Sequence, residues 1–114
     1  MHNKYLSFLT AATLLLAMNA ALADGNAEAG KQKAQACAGC HGDNGISPKA
    51  DPQPPILAGQ YKDYIIQALH EYKNGERTSP IMMGMGGGLS EDDIKDLAEY
   101  FSSLPSPLHT LPHN

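Results

Sequence analysis

The chain has 114 residues, which is long enough for one small domain and too short for two. It contains 8 Lys and Arg against 12 Asp and Glu, for a formal net charge of −4. This length argues against an elaborate enzyme, and this charge argues against a nucleic-acid partner. An acidic surface instead favours a basic patch on a partner protein.

The first 23 residues are typical of a secretory signal peptide. Lys4 stands near the start, an apolar run extends from Leu6 to Met18, and a small-x-small cleavage site ends at Ala23. The run is shorter than the ~20 residues that cross a bilayer, so we expect export and cleavage after Ala23, with an uncleaved membrane anchor as the alternative. No later segment is apolar enough to span, so no membrane span is expected after cleavage.

Three helices are predicted in the remaining sequence. The first extends from about Asn26 to Ala38, and the second from about Gln60 to Asn74, with Gly75 at the position that favours a helix end. The third begins after Ser90, a capping residue followed by three acidic residues, and stops before Pro105. No alternating pattern suggests strands, so an all-α fold is expected.

Each of the last two helices has a predicted buried face. On the second helix the face comprises Tyr61, Tyr64, Ile65, Ala68, Leu69 and Tyr72. On the third it comprises Ile94, Leu97, Ala98, Phe101 and Leu104. Segments 42–59 and 75–88 are predicted to be loops, and 106–114 a disordered tail. So much loop around so small a core indicates that a large apolar cofactor completes it.

The motif Cys37-Ala38-Gly39-Cys40-His41 carries the predicted chemistry. A disulfide, a thioredoxin-type dithiol or part of a zinc site are the alternatives for two such cysteines. Zinc lacks enough further ligands, and a thioredoxin motif would need a preceding strand. The histidine that follows directly favours covalent haem attachment, with Cys37 and Cys40 binding the haem and His41 binding the iron.

Three methionines are candidates for the second axial ligand of the iron. Met82, Met83 and Met85 lie in a Gly-rich segment, where backbone freedom helps to bring a thioether to the metal. A methionine that only fills the core is the alternative. A thioether ligand raises the reduction potential and closes the iron to small molecules, which indicates electron transfer.

At these residues the sequence resembles the class I c-type cytochromes, above all one half of the two-haem cytochrome c-four group and its single-haem periplasmic relatives. The resemblance covers Gly30 to Leu104, including Pro55-Ile56-Leu57-Ala58-Gly59-Gln60. It implies a small all-α cytochrome c fold over 24–105, with three main helices and loops around one covalently bound haem c. It also implies a one-electron carrier in the periplasm and not an enzyme.

The resemblance implies roles for individual residues. Gly30 would allow the first and last helices to cross closely, with Tyr100 as its partner. The Pro55 carbonyl would accept a hydrogen bond from His41, the proximal ligand. The family's methionine falls on Met82, with Met83 as the next candidate after it.

Other residues and partners complete the prediction. Arg77 is either a surface arginine or a partner for a haem propionate. His70 is expected to be a surface or half-buried side chain rather than a ligand, and His109 and His113 to be solvated.

Redox partners would be a donor dehydrogenase or quinol–cytochrome c reductase and an acceptor oxidase or reductase. A monomer or weak dimer is expected. The alternatives are a haem subunit of a periplasmic dehydrogenase, for example one that oxidises sulfur compounds, and a haem sensor or peroxidase.

Overall fold

The computed structural model describes residues 24–49 and 54–108. Five helices follow one another in these ranges: α1 (Ala27–Lys33), α2 (Gln35–His41), α3 (Lys62–Asn74), α4 (Pro80–Gly87) and α5 (Glu91–Ser102). No strand occurs in the part of the chain that is described, which confirms the all-α prediction. The predicted signal peptide, residues 50–53 of the predicted loop and the residues from His109 onward lie outside the described residues.

The first predicted helix is two short helices and extends further than expected. The side chain of Asn26 caps α1 by accepting from the Ala29 amide at 2.9 Å, and α1 ends before Ala34. The α2 helix then continues to His41, because hydrogen bonds such as Gly42 N to Ala38 O, at 2.9 Å, carry the helical pattern past the predicted end. The whole haem motif therefore lies on a helix.

The helices α1 and α5 cross at Gly30, as the family resemblance implied. A Cβ atom on Gly30 would overlap the Asp96 carbonyl oxygen and lie 2.7 Å from Tyr100 Cβ. Only a residue without a side chain permits this approach. Lys33 adds ion pairs to Asp93 at 2.8 Å and Asp96 at 2.6 Å, so charge also joins α1 to α5.

The buried face predicted for the last helix is confirmed. Four of its residues form most of the core: Ile94, Leu97, Ala98 and Phe101 are all buried. Leu104 is half-buried and lies just beyond the end of α5. A capping box between Ser90 and Asp93 starts α5, so sequence and structure agree on where it begins.

On α3 the predicted face is only partly correct. Ile65 is buried, but Tyr61 is 67% exposed and Tyr64 is 46% exposed. Tyr61 precedes the helix, and the Tyr64 hydroxyl accepts a hydrogen bond from Arg77 at the surface, so the polar ends of these rings remain outside the core. The helix ends at Gly75 in the left-handed conformation, as predicted.

The segment that contains the methionines is a helix, α4, so the prediction of a loop over 75–88 was wrong in its centre. Ser79 caps α4 by accepting from the Met82 amide, and Pro80 occupies the first turn, where a missing N–H costs nothing. The glycines disfavour a helix, but the buried Gly86 lets α4 pack on α3, with its Cβ position 3.3 Å from Tyr72 Cβ. Tertiary packing therefore overrides the low helix propensity.

Within the described ranges, none of the helices combines the length and the apolar character that crossing a bilayer requires.

Candidate haem site

The cysteines and the histidine of the motif occupy the last two turns of α2. Cys37 is half-buried and packs against the core, whereas Cys40 is exposed. Both are free thiols, so the disulfide alternative is not what the structure contains. His41 is only 7% exposed, although it ends the helix. A buried imidazole beside two unpaired thiols is the donor set that covalent haem attachment requires.

The imidazole of His41 has one fixed partner. Its Nδ1 atom lies 2.9 Å from the carbonyl oxygen of Pro55, so the hydrogen bond implied by the resemblance is present. Because a carbonyl oxygen can only accept, Nδ1 carries the proton, and in the neutral imidazole Nε2 then keeps its lone pair. Such a contact fixes both the tautomer and the orientation of a metal-binding histidine. Nε2 of His41 is therefore the nitrogen that can bind iron.

The three candidate methionines differ in burial. Met82, at the third position of α4, is half-buried. Met83 is 38% exposed and Met85 is 41% exposed. Met82 is therefore the least exposed of the three methionines, which favours it over Met83 and Met85 as the candidate ligand.

Arg77 is held by protein groups. Its guanidinium donates to the Tyr64 hydroxyl at 2.9 Å and lies over the rings of Tyr64 and Tyr72, 5.6 and 5.4 Å from their centroids. Glu71 is a more distant partner, at 3.8 Å. Sequence reasoning missed this cluster because the two tyrosines were assigned to the buried face. Their spacing on one side of α3 was the available signal. Contact between Arg77 and a propionate stays a prediction.

The histidine of α3, His70, has a partner at the protein surface. Its Nε2 lies 2.7 Å from Glu91 Oε2, and both side chains are well exposed. This agrees with the expectation of a surface or half-buried residue.

Two other interpretations of the cysteines lose support. Burial raises the pKa of the Cys37 thiol, whereas reactive dithiols have lowered values. The described residues contain no group of three or more His, Cys, Asp or Glu side chains suited to a metal ion, so a zinc site lacks ligands there.

The composition of the core also fits a large apolar cofactor. Among the described residues, three of the seven buried hydrophobic residues are alanines, while Ile81 on α4 is 72% exposed. A flat apolar group would cover such side chains and supply the missing core. The helices, the two free thiols and the buried imidazole together fit a small all-α haem domain.

Comparison with known proteins identifies the family. The cytochrome c family profile matches residues 27–105, and the chain belongs to this family. A cytochrome c domain implies one covalently bound haem c.

Several known proteins are similar to this chain. Cytochrome c4 of Pseudomonas aeruginosa is 45% identical over 81 residues, which cover 71% of this chain and 39% of that protein. The chain thus spans about two fifths of that relative's length. Cytochrome c-554(548) of Halomonas halodenitrificans is 38% identical, over 69% of this chain and 96% of its own length.

Two further similar proteins are a cytochrome subunit of an enzyme and a cytochrome of known structure. The cytochrome subunit of sulfide dehydrogenase from Chlorobaculum tepidum is 40% identical over 64% of each chain. The crystal structure of reduced recombinant cytochrome c4 from Pseudomonas stutzeri superimposes with a TM-score of 0.65 at 40% identity, covering 71% of this chain and 46% of that one. The class I cytochrome fold predicted from the sequence is therefore confirmed.

Proposed function

We propose that Cys37 and Cys40 hold the haem, that His41 binds the iron through Nε2, and that the protein carries one electron at a time without being an enzyme. The observation that carries this proposal is the hydrogen bond between His41 Nδ1 and the Pro55 carbonyl, at 2.9 Å. It leaves a buried nitrogen, oriented and unprotonated, next to two free thiols. Bound haem would supply an iron that alternates between the ferrous and ferric states.

Met82 is proposed as the second axial ligand. It is half-buried where Met83 and Met85 are exposed, and Ser79 caps the turn of α4 that contains it. A thioether at this position would leave no open coordination site for oxygen, peroxide or carbon monoxide. Arg77 stays a candidate partner for a propionate.

The ligand set is tested with three matched alanine variants. Ferric protein with a methionine bound shows a weak near-infrared absorption band from sulfur to iron. Met82→Ala should abolish the band, whereas Met83→Ala and Met85→Ala, on the same helix, should keep it. A band that survives in Met82→Ala and disappears in Met83→Ala would move the ligand by one residue.

The haem attachment itself is tested on a denaturing gel stained for haem. Protein expressed with a haem-attachment system should retain the stain, and a Cys37→Ala, Cys40→Ala double variant should lose it. Unstained wild-type protein would contradict the main proposal. Rapid carbon monoxide binding by the ferrous wild type would favour the haem sensor or peroxidase alternative.

A dehydrogenase subunit is the second candidate function. The similarity to the cytochrome subunit of a sulfide dehydrogenase supports it. Purification of the tagged chain from its own organism distinguishes the two. A larger flavin- or molybdenum-containing protein in a fixed ratio would favour the subunit, and the chain alone would favour a free carrier.

The proposed location is the periplasm, with cleavage after Ala23 and a cytochrome domain over 24–105. Removal of Lys4 with the signal peptide would leave seven basic against twelve acidic residues, which suits a partner with a basic docking patch. The mass of the protein from a periplasmic extract checks the cleavage site. Recovery of the full 114-residue chain in membranes would support the uncleaved anchor.

A further inference from the structure

The Pro55 carbonyl, which fixes His41, belongs to an irregular segment. Pro54 to Gln60 form no helix, and the side chain of Pro55 is exposed. Burial of its ring therefore does not hold the carbonyl at 2.9 Å from His41 Nδ1. The geometry of the His41 imidazole depends on what anchors this segment.

The anchor is the carbonyl oxygen of Gly45. It accepts hydrogen bonds from two consecutive amides, Leu57 N at 2.9 Å and Ala58 N at 3.2 Å. Gly45 follows His41 closely in the chain, as Leu57 and Ala58 follow Pro55. The two segments are therefore joined at both ends, by the imidazole at one end and by the Gly45 carbonyl at the other.

No side chain fits at position 45. Gly45 has φ +74°, and a Cβ atom there would lie 2.9 Å from Ala58 N and 3.1 Å from Phe101 Cδ1. Ala58 is fully buried, and the next residue, Gly59, donates its N–H to the Phe101 carbonyl at 2.9 Å. A side chain at position 45 must therefore push the backbone at Ala58, and the Pro55 carbonyl moves with that backbone.

We propose that Gly45 is a positioning residue for the iron ligand His41, acting through the segment that contains Pro55. The proposal rests on the proposed function, in which His41 binds iron. A hydrogen bond from Nδ1 raises the basicity of the other ring nitrogen. When that bond lengthens, the imidazole donates less charge and ferric iron loses stabilisation relative to ferrous iron. Displacement of the segment should therefore raise the reduction potential.

The test compares Gly45→Ala with Gly75→Ala. Both glycines have positive φ, +74° and +83°, but a Cβ on Gly75 meets nothing within 4 Å. Gly75→Ala therefore measures the effect of backbone strain alone. We expect Gly45→Ala to shift the ferric–ferrous equilibrium at least threefold towards ferrous iron, roughly 30 mV at 59 mV per tenfold change. The Nδ1–H resonance of His41 should shift as well, and neither should change in Gly75→Ala.

Each outcome bears on one proposal only. If Gly45→Ala keeps the methionine band, the wild-type potential and the wild-type Nδ1–H resonance, the role of Gly45 is wrong and the proposed function stands. If the wild type itself lacks a histidine–methionine spectrum, the proposed function fails before any variant is made.

A measurement on the unaltered protein applies if Gly45→Ala does not fold. In native-state hydrogen exchange, the His41 Nδ1–H and the amides of Leu57 and Ala58 should open with the same free energy, because they belong to one linked unit. Exchange of the His41 proton at a distinctly lower opening free energy than these amides would overturn the proposal.

Discussion

Replacement of Gly30 by alanine tests whether the crossing of α1 and α5 controls stability. In a helix interior this change normally stabilises by about 1 kcal/mol. Here the new Cβ would overlap the Asp96 carbonyl and lie 2.7 Å from Tyr100 Cβ. Carbon atoms in contact are normally about 3.5–4.0 Å apart, so the helices must separate by roughly 1 Å.

The expected size of the effect follows from these opposed terms. Overpacking of this kind costs about 1–3 kcal/mol, and a clash with rigid backbone falls at the upper end. After subtraction of the helix-propensity gain, Gly30→Ala should lose about 2 kcal/mol. For a domain of this size that loss lowers the midpoint of thermal unfolding by roughly 8–16 °C.

The assay is thermal unfolding of the haem-loaded protein, followed by circular dichroism. Gly84→Ala is the matched control, since Gly84 also lies inside a helix but its Cβ meets nothing within 4 Å. That variant should be as stable as the wild type or more stable by up to about 1 kcal/mol. An unfolding temperature for Gly30→Ala at or above the wild-type value would refute the close crossing.

Two further predictions concern acid stability and the hold on the methionine. Lys33, together with Ser90, lowers the pKa of Asp93 to about 2. The ionised Asp93 carboxylate therefore contributes fully to folding stability above the usual pKa of 3.8, and this contribution disappears as the pH falls towards about 2. In Asp93→Asn, the denaturant concentration at the unfolding midpoint should therefore fall less steeply with decreasing pH than it does in the wild type. Ser79→Ala removes the hydrogen bond that caps α4 at Met82 N, and this loss destabilises the helix by about 1 kcal/mol. Because the proposed ligand Met82 then leaves the iron more readily, cyanide should bind to ferric iron roughly fivefold faster. An unchanged rate would mean that packing on α3 holds the methionine.

Local patterns in the sequence were sufficient to predict where α5 begins and where α3 ends. Ser90 with its acidic first turn, and Gly75 after the last turn, place helix boundaries by hydrogen bonds to the residues beside them. The apolar period of α5 similarly predicted its buried residues, because one stripe faces the core for the whole length of the helix.

The same local rules failed where contacts between distant segments determine the secondary structure or the exposure of a side chain. The helix α4 forms in a glycine-rich segment because Gly86 fits against α3, and Tyr64 remains exposed because Arg77 holds its hydroxyl. Neither partner can be identified from neighbours in the chain. The Pro55 contact was anticipated only through the family resemblance.

The sequence by itself was sufficient to predict haem attachment at Cys37, Cys40 and His41, since the thiols and the imidazole that attachment needs lie close together in the chain. Only the tertiary structure decided how the imidazole is oriented. That orientation depends on Pro55, and through Leu57 and Ala58 on Gly45. These contacts form between two segments of the chain when the loop closes, so no local pattern specifies them.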